Sequence, residues 1–204
     1  MTRKLGGLYL VVSPDVAIER VEAALRGGAD LLQIWSPAQA ARDWAAQIRK
    51  IARTYNVPLL VNNDIILAAE LAADGLHLDG NAPTPSKVRQ TLGSQAIVGY
   101  TCGTNLEKVL WAERVGADYV SFCAVFPSPS VQACDLVPLE TIRQARRLVS
   151  IPIFASGGIT LENAHKVIEA GADGIAVISA VFQAPDPEEA VRRFKALWTE
   201  QRYA

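Results

Sequence analysis

The sequence has few cysteines, almost no net charge and no long apolar run, and each absence excludes a class of protein. Among 204 residues there are three cysteines, Cys102, Cys123 and Cys134, without Cys-x-x-Cys spacing, which argues against a disulfide framework and a zinc site. Twenty basic and twenty-one acidic residues give a formal charge of −1, so we expect no nucleic-acid or membrane partner. No apolar stretch reaches the roughly 18 residues of a membrane-spanning helix, and no signal sequence is recognisable. We therefore expect a cytoplasmic protein.

Half of the residues are hydrophobic, and they are concentrated in eight short runs of four to seven residues. Few of these runs alternate with polar residues, which is typical of strands buried on both faces, as in parallel sheets. The runs are Leu8–Ser13, Asp30–Ile34, Val57–Asn62, Gly75–Leu78, Ile97–Thr101, Tyr119–Val125, Ile151–Ser156 and Gly174–Ser179.

The segments between the runs carry signals for helix starts and helix ends. A capping residue before proline predicts a helix start, and this pair occurs at Ser13-Pro14, Ser36-Pro37, Thr84-Pro85 and Asp186-Pro187. Thr160 is the expected cap of a helix over Leu161–Glu169. Glycine before Ala-Asp predicts a helix end in the left-handed conformation. It occurs at Gly28, Gly116 and Gly171, with an imperfect copy at Ala73-Asp74-Gly75.

The helix-end copies precede the second, fourth, sixth and eighth runs, so alternate strands are marked alike. This rhythm predicts an α/β fold, a (β/α)8 TIM barrel that occupies residues 1–204 as a single domain. The alternative is an open doubly wound sheet, which usually carries Gly-x-Gly-x-x-Gly after its first strand. Here Val12-Ser13-Pro14-Asp15 stands at that place, so the barrel is favoured.

Two loops predict a phosphate site at the carboxyl ends of the last two strands, where barrels often hold phosphate. Gly157-Gly158 follows the seventh run, and paired glycines let backbone N–H groups approach an anion closely. Ile178-Ser179 follows the eighth run, where a short helix offers free N–H groups and a hydroxyl. The alternative is that the glycines only form a tight turn and that Ser179 only caps a helix.

Several segments resemble the thiamine phosphate synthase and thiazole tautomerase family over essentially the whole chain. The resemblance implies a (β/α)8 barrel, a homodimer, and a thiazole phosphate or thiamine phosphate held through Gly158 and Ser179. The segments that carry it are Gly27–Gln33, Val57–Asn62, Ala73–Leu78, Gly116–Val120, Ser156–Thr160 and Ala170–Ser179.

The chain departs from this family where pyrophosphate is expelled. The family's Gln-x-Arg-Glu-Lys segment reads Gln33-Ile34-Trp35-Ser36-Pro37 here, and a further family lysine is Val131. The family's two magnesium positions are Asn63 and Ala82, so no metal site and no certain cofactor are expected. Leaving-group charge is normally neutralised by such cations and metals. Standard synthase activity is therefore not expected. The tautomerase branch fits no better, because its acid/base histidine falls at Ala124.

Other side chains are candidates for ligand contact or catalysis. His77 and Asp79 lie on one face of the fourth strand and are the candidate base and its partner. The alternative is a hydrogen-bonded core histidine beside a loop-capping Asp79. Trp35 offers a stacking surface or else packs under its loop. The candidate substrate-binding residues, by analogy with the family, are Gln33, Trp35, Asn62, Thr101, Ser128 and Ser130.

Two functional hypotheses remain open from the sequence. The first is an enzyme of thiamine biosynthesis or salvage that acts on a thiazole phosphate without the usual metal. The second is a non-catalytic barrel that binds a small phosphorylated heterocycle as a carrier or regulator. They differ in whether His77, Asp79 and a neighbour such as Thr101 or Gln33 converge on one point.

Overall fold

A computed structural model describes residues 5–35, 41–80, 82–128 and 135–201, without the side chains of residues 198–201. Eight parallel strands form a closed barrel in chain order. The strands are β1 (Gly7–Val12), β2 (Leu31–Ile34), β3 (Leu59–Asn62), β4 (Gly75–Leu78), β5 (Ile97–Thr101), β6 (Tyr119–Phe122), β7 (Ile153–Ser156) and β8 (Gly174–Val177).

Helices alternate with these strands. They are α1 (Ile18–Arg26), α2 (Arg42–Thr54), α3 (Ile65–Glu70), α4 (Pro85–Leu92), α5 (Leu106–Arg114), α6 (Leu139–Leu148), α7 (Ala164–Glu169), α8 (Ser179–Phe182) and α9 (Pro187–Gln201). The ladder closes where β1 pairs with β8, from Gly7 opposite Gly174 to Leu10 opposite Val177. The prediction of a (β/α)8 barrel is confirmed.

Two apolar clusters fill the molecule, because successive side chains of each strand point to opposite faces. The larger cluster lies between the barrel and the helices, and it includes Leu8, Leu10, Val61 and Val120. The smaller cluster lies inside the barrel and contains Leu5, Tyr9, Leu31, Leu60, Ile97, Tyr119, Phe154 and Ala176. Tyrosine hydroxyls therefore lie in the barrel interior, where they need polar partners.

The amino ends of the strands carry one interaction in four copies, which we call the aspartate clamps. In each clamp the aspartate before an even-numbered strand accepts a hydrogen bond from the first free backbone N–H of the preceding strand. The same carboxylate forms an ion pair with a lysine or arginine on a helix. The oxygen–nitrogen distances are 2.6–2.9 Å. The clamps are Asp30 with Leu8 and Lys195, Asp74 with Leu59 and Arg49, Asp118 with Val98 and Arg89, and Asp173 with Ile153 and Arg146.

Several predicted helix boundaries are confirmed. Thr84 is the N-cap of α4 with Pro85 in its first turn. Asp186 Oδ1 accepts the N–H groups of Glu188 and Glu189 at 2.9 and 3.1 Å, at the start of α9. The three predicted helix-end glycines have positive φ angles, 95° at Gly28, 85° at Gly116 and 103° at Gly171.

Other predicted boundaries are wrong. Ser13-Pro14 starts no helix, because Ser13 Oγ donates to Asp15 in a turn and α1 begins at Ile18. Thr160 does not cap a helix at Leu161; its N–H donates to Asn163 Oδ1 at 2.8 Å, and α7 begins one turn later. Ser36-Pro37 lies outside the described residues.

The sixth strand ends three residues before the predicted boundary at Val125. Strand β6 stops at Phe122, and Ala124 has a φ of 58°, in the left-handed region that non-glycine residues rarely adopt. Val125 and Phe126 still donate to the carbonyls of Ser156 and Gly157, both at 3.0 Å. The chain thus turns over the end of β7 after β6 has ended.

Candidate functional site

The carboxyl ends of the strands, which we call the mouth, carry a connected set of polar side chains. Strand alternation points Gln33 of β2, Asn62 of β3, His77 of β4 and Thr101 of β5 into the barrel. The register supports this arrangement, since Asn62 lies opposite His77 and His77 opposite Gly99. With two tyrosines from deeper in the barrel they form the polar network, which consists of Tyr9, Gln33, Asn62, His77, Thr101 and Tyr119.

The members of the polar network form one unbroken chain of hydrogen bonds. Gln33 Nε2 donates to Asn62 Oδ1 at 2.9 Å, and Gln33 Oε1 accepts from the Tyr9 hydroxyl. The Tyr9 and Tyr119 hydroxyls are 3.1 Å apart. His77 lies between Tyr119, 2.7 Å from Nδ1, and Thr101, 2.8 Å from Nε2. The network starts and ends at the half-buried Asn62 and Thr101, while the residues between them are buried.

Burial keeps the ionisable members of the network neutral. It lowers the pKa of His77 to about 4 from the ordinary 6.5; the Asp79 carboxylate opposes this and Lys108 adds to it. Burial also raises the pKa of both Tyr9 and Tyr119 well above the ordinary value of 10.0. Near neutral pH the network is therefore a set of uncharged donors and acceptors.

Asp79 lies beside the network but is not directly hydrogen-bonded to His77. Its Oδ1 is 3.7 Å from His77 Nε2, which Thr101 already contacts, and its side chain is 40% exposed. Its backbone N–H donates to Asn63 Oδ1 at 2.9 Å, which holds the loop after β4 in place. His77, Asp79 and Thr101 thus converge on one point, whereas Gln33 reaches it only through the two tyrosines.

The two predicted phosphate loops are neighbours. Ser156 pairs with Ala176, so the glycines after β7 run alongside Val177, the last residue of β8, and Ile178 after it. Among the described residues, none accepts a hydrogen bond from the N–H of Gly157, Gly158, Ser179 or Ala180. Four backbone donors on adjacent loops are therefore available to an anion.

The same glycines also have a packing role. A Cβ on Gly157 would lie 2.6 Å from the Ala124 backbone, and one on Gly158 would lie 2.6 and 2.7 Å from the carbonyl oxygens of Phe126 and Pro127. The loop after β6 passes so close to the end of β7 that only glycine fits. The tight-turn alternative therefore describes part of their role, and a substitution here cannot serve as a clean test of phosphate binding.

The remaining candidate residues lie around the mouth or outside the described residues. Trp35 directly follows β2 and is 48% exposed, and Ile178 after β8 is 36% exposed. Ser128 is half-buried in the loop after β6. Ser130, Pro37 and Val131 lie outside the described residues. The structure gives the assigned ligand and catalytic roles no direct test, and they stay predictions.

The residues present do not fit the magnesium site that the family resemblance implies. The Asn63 side-chain oxygen accepts from Asp79 N, Asp64 Oδ1 accepts from Leu67 N at 2.9 Å as the cap of α3, and Ala82 has no donor atom. Within the described residues no cluster of three or more His, Cys, Asp or Glu side chains occurs. Magnesium is held by one or two carboxylates in such sites, and neither Asn63 nor Ala82 supplies one, so we derive no chemical step through a metal.

Sequence reasoning missed Tyr9, Tyr119 and Lys108. Both tyrosines look like ordinary core aromatics in apolar runs, and only the strand register shows that their hydroxyls meet His77 and Gln33. Lys108 on α5 is half-buried. Its positive charge is close enough to act on His77 and on Cys102, in each case in the direction that lowers the pKa. A single lysine on an amphipathic helix carries no signal that distinguishes it from a solvated one.

Cavity volume does not locate the site. Two surface depressions, of about 420 and 110 Å³, lie around Asp74 at the opposite end of the barrel, and no network member lines either of them. The polar network and the two adjacent loops after β7 and β8 mark the candidate site by chemistry instead. Within the described ranges, none of the helices combines the length and apolarity needed to span a bilayer.

Comparison with known proteins gives consistent matches over nearly the full length. The family model described as thiamine monophosphate synthase matches residues 8–181. The thiamine-phosphate synthase of Thioalkalivibrio sulfidiphilus is 41% identical over 204 residues, covering 96% of this chain and 96% of that protein. The one from Halorhodospira halophila is 38% identical over 203 residues, covering 98% and 97%. A solved thiamine phosphate pyrophosphorylase from Pyrococcus furiosus has a TM-score of 0.82 at 30% identity, covering 95% of this chain and 96% of that one.

Proposed function

Since the chain belongs to the thiamine monophosphate synthase family, we propose that it acts in thiamine biosynthesis or salvage by binding thiazole phosphate or thiamine phosphate at the mouth. The observation that supports the proposal is the pair of adjacent loops in which the N–H groups of Gly158 and Ser179 have no acceptor within the described part of the chain. Uncharged backbone donors bind a phosphate monoester without a neighbouring cation. The heterocycle then lies over the network ends, within reach of Trp35.

We also propose that the chain does not catalyse the magnesium-dependent joining reaction in its usual form. Expelling pyrophosphate requires several charges to be neutralised together. The sequence has Trp35, Pro37 and Val131 where the family has cations. Lys108 on α5 is a cation whose charge acts on His77, and it stands at none of these three positions. Removing one preorganised donor typically costs about 3–4 kcal/mol in the transition state, and here several are replaced.

A non-catalytic carrier or regulator is the second candidate, and the state of His77 favours it. Both ring nitrogens of His77 have hydrogen-bond partners, and its pKa is lowered to about 4, so the imidazole is a weak base near neutral pH. The convergence of His77, Asp79 and Thr101 favours a metal-independent enzyme instead. The experiments below separate these candidates.

Calorimetric titration with inorganic phosphate, thiazole phosphate, thiamine phosphate and pyrophosphate, each with and without Mg²⁺, tests the binding proposal. We expect each of the two heterocycle phosphates to bind as tightly without Mg²⁺ as with it. Both should bind more tightly than pyrophosphate. Ser179→Ala should weaken their binding by about 1–2 kcal/mol, as for one hydrogen bond to a charged group. Ser94→Ala, at an exposed serine at the opposite end of the barrel, is the control. Unchanged affinity in Ser179→Ala together with stronger pyrophosphate binding would contradict the proposed orientation.

Single-turnover pyrophosphate release at high enzyme concentration, with and without Mg²⁺, tests the activity proposal. We expect no metal-dependent release from the synthase substrates. Fast release that requires Mg²⁺ and is lost in Asp79→Asn would show that a functional centre has formed around Asp79. Turnover of a thiazole phosphate without metal would favour the enzyme over the carrier.

A further inference from the structure

The polar network has a direction, and its amides set that direction. Gln33 donates through Nε2 to Asn62 and accepts through Oε1, so the Tyr9 hydroxyl must donate to Gln33. A phenol has one hydrogen. The bond between the two hydroxyls, at 3.1 Å, is therefore donated by Tyr119.

The direction of donation continues from Tyr119 to the mouth. Because the only hydroxyl hydrogen of Tyr119 points at Tyr9, the 2.7 Å contact with His77 Nδ1 must be donated by the imidazole. A neutral imidazole has one N–H, so Nε2 carries a lone pair. Thr101 then donates its hydroxyl hydrogen to Nε2 across 2.8 Å.

We propose that Tyr9 and Tyr119 are positioning residues that hold neutral His77 with its hydrogen on Nδ1 and thereby fix the hydrogen-bond character of Thr101 at the mouth. Thr101 offers a bound molecule only oxygen lone pairs, because its hydrogen is used on His77. At the other end of the network, Asn62 offers its Nδ2 hydrogens and one remaining lone pair of Oδ1, whose other lone pair accepts from Gln33. A ligand over these ends must therefore present a donor to Thr101, and an acceptor in the same ligand can bind Asn62 Nδ2.

The Asp79 carboxylate makes this arrangement testable, because it favours the opposite tautomer. Its Oδ1 lies 3.7 Å from His77 Nε2, where a carboxylate attracts an N–H and repels a lone pair. The hydrogen stays on Nδ1 only while Tyr119 can accept it. Removing that acceptor should therefore move the hydrogen to Nε2.

Nuclear magnetic resonance of the protein labelled with ¹⁵N in its histidine rings identifies the nitrogen that carries the hydrogen. The chain has two histidines, and the second, His165, is exposed on α7 and serves as the internal reference. We expect His77 to carry its hydrogen on Nδ1 in the wild type. Tyr119→Phe should move it to Nε2. Tyr100→Phe removes a different buried hydroxyl, one that bonds to the Pro83 carbonyl outside the network, and should leave His77 unchanged.

Tyr9→Phe is the sharper variant, because Tyr9 makes no hydrogen bond to His77. Without the Tyr9 oxygen, Tyr119 is free to donate to His77 Nδ1, which again moves the imidazole hydrogen to Nε2. A structural role limited to packing would leave the tautomer unchanged in a folded variant. A wild-type hydrogen on Nε2, or folded Tyr9→Phe and Tyr119→Phe proteins that both keep it on Nδ1, would overturn the proposal.

The consequence for ligands rests on the proposed function, so it is measured separately from the tautomer. Tyr9→Phe should weaken thiamine phosphate binding about fivefold, the value of one neutral hydrogen bond, and leave inorganic phosphate binding unchanged. A changed tautomer with thiamine phosphate affinity unaltered would overturn the link to the ligand. Wild-type protein that binds inorganic phosphate but no heterocycle phosphate would refute the proposed function and leave the tautomer result standing.

Discussion

The two ends of this barrel are built on different principles. At the amino ends, four aspartates at equivalent positions repeat one interaction, each fixing a neighbouring strand and a helix cation. At the mouth, the described loops have different sequences and different hydrogen bonds. Barrels generally hold their active sites at the carboxyl end and their stabilising features at the other. The repeated interactions of this chain thus lie at the stabilising end of the barrel, and the irregular loops lie at the candidate site.

Glycine substitution at the mouth is expected to have the largest effect on the free energy of unfolding. It tests whether that end of the barrel is free of structural constraint. Gly158→Ala places a Cβ 2.6 Å from the Phe126 carbonyl oxygen at a φ of 63°. Gly80→Ala has the same φ of 63° with open space around it, so it isolates backbone strain. We expect a loss of unfolding free energy of about 1 kcal/mol for Gly80→Ala and at least about 3 kcal/mol for Gly158→Ala. Chemical denaturation measures both losses. Equal losses would show that the loop after β6 moves to accommodate the added Cβ.

Acid should destabilise the protein through His77. Its folded pKa of about 4 lies below the unfolded value of 6.5, so the unfolded state binds more protons between these pH values. The contribution of neutral His77 to the free energy of unfolding is therefore fully present above pH 6.5. It is lost as the pH drops towards 4, by on the order of 3 kcal/mol. The difference in pH slope between wild type and His77→Gln measures this contribution. His165→Gln is the control, and equal slopes for wild type and His77→Gln would contradict the burial of a neutral His77.

Breaking one aspartate clamp should lower stability without affecting the mouth. Asp118→Ala removes the acceptor of Val98 N and of Arg89, both at 2.7 Å, and we expect a loss of about 2 kcal/mol. Phosphate affinity should not change. Glu140→Ala breaks an exposed ion pair to Arg143 on α6 and should cost less than about 0.5 kcal/mol. A loss of ligand binding in Asp118→Ala would show that the two ends are coupled.

The smallest expected effect is optical. Trp35 is 48% exposed at the mouth, whereas Trp44 and Trp111 are packed against the core between barrel and helices. A heterocycle stacked on the Trp35 indole should change the intrinsic fluorescence of the protein. Titration with thiamine phosphate checks this, and the change should be lost in Trp35→Phe. A signal that persists in that variant would place the ligand elsewhere.

The fold could be predicted from the sequence because its signals are local and repeated. Gly28, Gly116 and Gly171 each mark a helix end before an even-numbered strand, and the structure confirms their left-handed conformation. The start of α7 was predicted one turn too early, because Thr160 and Asn163 are both good caps. Only the hydrogen bond from Thr160 N to Asn163 shows which arrangement is adopted.

The site could be predicted only in part, because its contacts join distant strands. Gln33, Asn62, His77 and Thr101 were identified one by one, and the structure links them. The link itself runs through Tyr9 and Tyr119, which are 110 positions apart and belong to apolar strands. Their meeting depends on barrel closure and register, which no local pattern encodes. The position of Asp79 beside His77, but outside hydrogen-bond distance, likewise required coordinates.

One aspartate clamp has a consequence for the order in which the chain folds during synthesis. Asp74, Asp118 and Asp173 pair with arginines 25, 29 and 27 positions away, so each pair is complete soon after its strand is made. Asp30 pairs with Lys195, 165 positions later, on α9. A ribosome-bound chain that stops before α9 would hold the partners of three clamps, while Asp30 would lack its cation. We therefore expect the clamp that joins β1 to α9 to be completed after the other three.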